Sequence, residues 1–231
     1  MSRTESDWVI PLKHLNDANG RPVAVNFTLV EQTTPADRDQ LRKLAKGKKR
    51  ILEIGTFTGS STLALLEGMA KSGKLVTLDN FKGNEEFKRP GDNNHQQLTE
   101  VLPHWIIWGI IQQRLSDQEG RYQIVYANSK DVVSWFPDDW ADLIFIDGAH
   151  DYKNVKRDIR EWLPKIRSGG VLAGHDYEKQ LIEVPSSHLR KVRQHDTYNG
   201  CHPGVALAAR ESFSDINFAE DEDSTVWWVK V

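Results

Sequence analysis

ILEIGTFTGSST, residues 51–62, reads as a buried strand that turns through a glycine loop into a helix. Ile51, Leu52 and Ile54 form a short apolar run, and Gly55 and Gly59 bracket the turn ahead of the helix-like TLALLEGMA at 62–70. Glycine opens backbone angles closed to other residues and lets a ligand approach the main chain, while the helix N-terminus offers unpaired N–H groups. The stretch therefore reads as a seat for a polar, nucleotide-type cofactor, with an ordinary strand-to-helix turn as the alternative. Its two-glycine spacing differs from the dinucleotide fingerprint.

Further strands follow the same rule. KLVTLDNF (74–81) carries Asp79 at its end, placed to accept hydrogen bonds from a ribose diol or to cap a loop. YQIVYANS (122–129) ends in Asn128 and Ser129, small polar groups suited to a base edge. ADLIFIDGAH (141–150) leads to Asp147, and VLAG (171–174), a fifth strand, runs into His175-Asp176. Polar side chains delivered at successive strand C-termini mark the ligand crevice of an open α/β sheet.

The loop behind acidic Glu53, together with Asp79 and Asp147 on later strands, resembles the class I S-adenosylmethionine-dependent methyltransferases from about residue 45 to the C-terminus. The resemblance implies a Rossmann-like, doubly wound, mostly parallel seven-stranded sheet closed by an antiparallel C-terminal strand pair, here INFA (216–219) and TVWWVKV (225–231). It implies that Glu53 and the loop from Gly55 to Ser61 hold the methionine part, Asp79 the ribose and Ser129 the adenine surroundings. The expected cofactor contacts are Glu53, Gly55, Thr56, Gly59, Ser60, Ser61, Asp79, Asn80, Ser129 and Asp147. The family's commonest loop has a third glycine where this chain has Thr56-Phe57-Thr58.

Asp147, His150, Asp151, His175 and Asp176 fall at the ends of two strands that such a sheet places side by side. Oxygen donors on rigid strand ends suit Mg²⁺, and a histidine among them also admits Mn²⁺, Fe²⁺ or Zn²⁺. The set resembles that of metal-dependent O-methyltransferases of the catechol and sugar or macrolide types. That resemblance implies Asp147, His175 and Asp176 as metal ligands, the middle position being normally a carboxylate or amide. His150 in Asp-Gly-Ala-His resembles the proposed base of the sugar branch, with Asp147 beside it as the second catalytic candidate. His150 and Asp151 can also cap the helix that follows, Asp151 being the better N-cap. His188, His195 and His202 read either as acceptor-pocket residues or as exposed loop histidines.

Residues 1–33 read as an N-terminal arm with a turn at Asn19-Gly20, and 34–231 as the methyltransferase domain. Thr34-Pro35 begins a helix with Thr34 as N-cap and Leu41 and Leu44 facing inward. Residues 81–120 exceed a simple crossover and form an insertion or cap. Its second half, Leu98 to Leu115, has near-helical spacing that Pro103 and Gly109 weaken, and Trp105 to Ile111 is nearly all apolar. That segment reads as a buried crossover helix, or as a lid or dimer surface. KNVKRDIREWLPKI (153–166) is the next helix, stopped by Ser168-Gly169-Gly170.

A 231-residue chain can bury one large α/β core, and a formal net charge of −3 gives no general drive toward nucleic acid. A single cysteine, Cys201, excludes an internal disulfide, and the start MSRTESDWVI lacks the basic-then-apolar order of a signal peptide. With no run long enough to span a membrane, a cytoplasmic location is expected. The expectation is an S-adenosylmethionine-dependent O-methyltransferase acting on a hydroxylated small molecule, most simply a sugar or polyol, with Mg²⁺ or Mn²⁺. The rivals are a metal-free N- or O-methyltransferase, a non-catalytic cofactor-binding module, and an NAD(P)-dependent oxidoreductase, which the two-glycine loop disfavours.

Overall fold

The computed structural model describes residues 10–16, 22–25, 32–82, 104–195 and 197–231. The chain divides into two units, Met1–Thr33 and Thr34–Val231. In the first, strands β1 (Ile10–Asn16) and β2 (Pro22–Val25) pair antiparallel. The expected turn at Asn19-Gly20 lies outside the described residues.

In the second unit, helix α1 (Pro35–Ala45) starts at Thr34 with a capping box closed by Asp37, as Pro at the first helical position favours. Leu41 is fully buried, whereas Leu44 is only half-buried. Strand β3 (Arg50–Ile54) leads through the glycine loop into α2 (Ser60–Gly68), and β4 (Lys74–Asp79) follows. Next come α3 (His104–Arg114), β5 (Tyr122–Tyr126), the single turn α4 (Ser129–Val132), β6 (Ala141–Ile146), α5 (Tyr152–Trp162) and β7 (Ile166–Gly174). Helices α6 (Ser186–Val192) and α7 (Pro203–Arg210) precede the closing strands β8 (Asn217–Phe218) and β9 (Trp227–Lys230).

The strands form a seven-stranded sheet in the order β5-β4-β3-β6-β7-β9-β8. The first five are parallel, and β9 runs antiparallel to both β7 and β8. Residue alternation along β3 shows why helices cover both faces. Leu52 and Ile54 join the core under α5 and α7, which also encloses Trp162 and Trp227, whereas Glu53 points to the opposite face and meets α2. The strand reversal between β3 and β6 opens a crevice at the sheet's C-terminal edge.

Two local expectations change. The helix expected over 153–166 ends at Trp162, because Pro164 cannot continue it, and Leu163–Lys165 forms a 3-10 turn. Ile166 then begins β7, so Ser168-Gly169-Gly170 lies inside the strand, where the register against β6 shifts between Ala141 and Leu143. The described part of the insertion is α3. Ile106, Ile107, Ile110 and Ile111 are buried, Trp105 and Trp108 are exposed, and Gly109 sits within the continuous helix. Leu98, Val101, Leu102 and Pro103 lie outside the described residues.

Candidate active site and metal centre

The register brings the strand ends level. Ile54 pairs with both Leu78 and Ile146, and Ile146 with Gly174, so the next residues, Gly55, Asp79, Asp147 and His175, share one edge. The ladder continues there, since Gly55 N–H donates to Leu78, Asp147 N–H to Ile54 and His175 N–H to Ile146. Gly55 has φ +99°, and a Cβ there would lie 1.9 Å from the carbonyl oxygen of Asp147. Only glycine permits the two strand ends to approach so closely.

The glycine loop is held by two acids. Glu53 is fully buried and accepts hydrogen bonds from Ser61 Oγ at 2.6 Å and Thr62 Oγ1 at 2.5 Å, tying α2 to β3. Burial pushes its carboxyl up to about 7, against hydrogen bonds from Ser61, Thr62 and Thr77 that lower it. Asp79 Oδ2 accepts from the backbone N–H of Thr56 and Phe57 at 2.9 and 2.7 Å, and Oδ1 from that of Phe81 at 2.7 Å. Burial raises its carboxyl despite these donors. Arg114 on α3 donates to both Thr58 O and Thr58 Oγ1 at 3.0 Å, clasping the loop from above. Asn80 Nδ2 donates to Asn128 Oδ1 at 2.9 Å, whereas Ser129 Oγ donates to Asp158 on α5. Of the two strand-end groups read as suited to a base edge, Asn128 stands beside Asn80 and Ser129 turns to Asp158.

Beside the loop lies a cleft lined by Asp147, Ala149, His150, His175, Asp176 and Trp227. Asp176 has φ +60°, a left-handed turn that breaks strand alternation and brings two consecutive side chains into one cluster. His175 Nδ1 is 3.1 Å from Asp176 Oδ1 and 3.4 Å from Asp147 Oδ1. His150 Nε2 is 3.0 Å from Asp176 Oδ2. Asp151, not His150, caps α5 by accepting from Asn154 N–H.

Sequence reasoning missed Asp37 and left His202 open between pocket and loop. Asp37, 1 % exposed, places Oδ2 3.1 Å from His175 Nε2, an enclosed nitrogen that lies off the ideal hydrogen-bond line. Asp37 is itself fixed, accepting from Thr34 N and Oγ1 at 2.8 Å and from Thr225 N at 2.9 Å. His202, taken as a loop histidine or pocket residue, stands with its ring centroid 4.7 Å from that of His150. Glu178 holds it at Nδ1 (2.6 Å) and at its backbone N–H (2.9 Å). Gly204 makes this possible, because a Cβ there would sit 2.4 Å from the His150 carbonyl oxygen. His188 and His195 are exposed. Thr34 was legible as an N-cap, but Asp37 as its capping partner, and the reach of Asp37 across to His175, were not.

Charge is concentrated here. Burial alone would lower His175, but Asp176 and then Asp147 raise it well above the ordinary histidine value. Burial would raise Asp37, yet His175 and Thr34 bring it down to about 2. Asp176 is likewise drawn well below the carboxylate range, against burial, by His175 and His150. Asp147, His175 and Asp176 each offer one ligand atom, all within 4.8 Å of one another, and so do His150, Asp176 and His202. Donor separations of 3.1–3.4 Å between His175 Nδ1 and the two carboxylates match neighbouring positions around a small divalent ion. The first set therefore fits such an ion, with imidazole Nδ1 as its one nitrogen donor.

A parallel sheet of this order, with its crevice built on a glycine loop and an acidic second strand, defines a Rossmann-like methyltransferase architecture. A methyltransferase-domain family model matches residues 52–177, more than half of the chain, and the protein belongs to this class I S-adenosylmethionine-dependent family. A Mycobacterium marinum protein assigned by name to the O-methyltransferases is 31 % identical over 161 residues, covering 70 % of this chain and 62 % of that protein. A Sinorhizobium fredii protein of unassigned activity is 27 % identical over 135 residues, 56 % of this chain and 13 % of its own length. The chain thus spans less than two thirds of these curated relatives. Among solved structures, the O-methyltransferase NovP superposes with a TM-score of 0.60 at 11 % identity, covering 93 % of this chain and 86 % of that one. A Bacillus cereus O-methyltransferase in complex with SAH gives 0.56 at 18 % identity, covering 88 % and 86 %. Among the described residues no helix is long and apolar enough to cross a membrane.

Proposed function

We propose that this protein transfers the methyl group of S-adenosylmethionine to a hydroxyl of a small acceptor, with a divalent ion held by Asp147, His175 and Asp176. The observation that carries the reading is the convergence of these three donors and His150 beside the glycine loop and Asp79. When bound, the cofactor supplies an electrophilic methyl carbon and the ion lowers the pKa of an acceptor hydroxyl.

The chain's own groups do the rest. Glu53 and Asp79 fix the loop that seats the cofactor, and Asn80 with Asn128 meets its base. His150 takes the acceptor's proton, and Asp176, 3.0 Å from its Nε2, stabilises the imidazolium that results. Asp147 and Asp176, with His175, would hold the ion that draws the acceptor oxygen into place for in-line attack. A sugar or polyol suits a site so rich in imidazole and carboxylate, and the Asp-Gly-Ala-His pattern at 147–150 favours the same class.

The test combines calorimetry with turnover on hydroxylated acceptors. S-adenosylhomocysteine binds, EDTA abolishes turnover, and Mn²⁺ or Mg²⁺ restores it. His150→Ala lowers turnover by about 10²–10⁴-fold with cofactor binding intact. Undiminished activity in EDTA refutes the metal, and binding of NAD(H) in preference to S-adenosylhomocysteine refutes the whole reading.

A further inference from the structure

The metal position occupied by His175 differs in kind from its two carboxylate neighbours. An imidazole donor works only if its tautomer and ring plane are fixed, and metal-bound histidines are fixed by a carboxylate or carbonyl on the other ring nitrogen. The structure places a carboxylate at ion-pair distance from that nitrogen, short of hydrogen-bond geometry. Asp37 sits 3.1 Å from His175 Nε2, the nitrogen facing away from Asp147 and Asp176.

Asp37 is unusually well anchored for this task. It is 1 % exposed, its Oδ2 closes the α1 capping box, and its Oδ1 accepts from Thr225 N–H. Thr225 also accepts at Oγ1 from the backbone N–H of Asp176 at 3.2 Å, so one residue braces both Asp37 and a metal-position carboxylate. Asp37 thus stands on the far side of the imidazole from Asp147 and Asp176.

We infer that Asp37 is a positioning residue that holds His175 as the Nε2-protonated tautomer, presenting Nδ1 to the metal and making the centre selective for Mn²⁺-class ions over Mg²⁺. This rests on the metal reading of the proposed function. Mg²⁺ prefers oxygen donors, whereas Mn²⁺, Fe²⁺, Co²⁺ and Zn²⁺ accept one imidazole readily. Loss of such an outer partner weakens metal affinity by about 10–100-fold.

The experiment titrates the full chain with Mn²⁺ alone, following free Mn²⁺ by electron paramagnetic resonance, and repeats it with Mg²⁺ as competitor. Asp37→Asn keeps the shape and removes the charge. It weakens Mn²⁺ by about 10–100-fold, while S-adenosylhomocysteine affinity by calorimetry stays at the wild-type value. In a His175→Asp background the Asp37→Asn change is neutral or favourable, because no imidazole remains to orient, and that background shifts preference toward Mg²⁺. Equal losses in both backgrounds, or no loss in either, overturn the role of Asp37. Absence of Mn²⁺ binding to the wild type overturns the metal centre itself and the inference with it. Should Asp37→Asn fail to fold, His175→Asp alone decides, and an unchanged Mn²⁺-to-Mg²⁺ preference overturns the selectivity.

Discussion

Glu53→Gln probes how the glycine loop is secured. The Glu53 carboxyl is fully buried against two hydroxyls, and its pKa is raised from 4.5 to about 7. The folded chain therefore binds this proton more tightly than the unfolded chain does. The resulting contribution to stability is complete below about 4.5 and is lost as pH rises through about 7. At about 1.4 kcal/mol per unit, the full loss is about 3 kcal/mol, of which about 2 kcal/mol falls between roughly pH 5.5 and 8.5. Glutamine resembles the protonated acid in pairing a donor group with an acceptor oxygen, and it does not titrate. Urea unfolding of both proteins across that window measures the difference directly. The wild type loses about 2 kcal/mol relative to Glu53→Gln on going to high pH. A difference that stays flat, or that changes in the opposite direction, refutes the argument that burial dominates at this position.

Other substitutions test the remaining supports. Gly55→Ala drives a Cβ to 1.9 Å from the Asp147 carbonyl oxygen at φ +99°, so the strand ends must separate; thermal unfolding registers a loss of more than about 2 kcal/mol. Asp79→Ala strips the acceptor from three backbone N–H groups, and calorimetry finds S-adenosylhomocysteine weakened at least about tenfold. Asp142 lies at the opposite end of β6, where Arg167 and the backbone N–H groups of Lys49 and Arg50 lower its pKa against burial. Its contribution is present above the ordinary carboxylate value and lost as pH falls through the lowered one, so Asp142→Asn flattens the acid limb of stability measured by circular dichroism.

Much of the architecture was legible because local chemistry announced it. The apolar run at 51–54 followed by Gly55 and Gly59 could only be a strand entering a tight turn, and Thr34-Pro35 is a helix start in any context. The helix expected past Trp162 failed because the apolar stripe continued through Leu163 and Ile166 after Pro164 had ended the backbone pattern. Ser129 was placed at the cofactor because it ends a strand segment, yet its hydroxyl turns to Asp158, a partner 29 residues away that no local pattern announces.

The amino-acid sequence by itself determined the alternation of strands and helices, the glycine loop, and the row of polar residues at strand ends. Periodicity and turn chemistry act over a few neighbours, and each leaves a local mark. Only the tertiary structure decided which of those polar residues meet. Strand register set Gly55, Asp79, Asp147 and His175 on one edge, while packing of α1 and α7 brought Asp37 and His202 to the cluster from far along the chain. Contacts between distant residues depend on how whole elements pack, and side-chain identity alone carries no record of that distance.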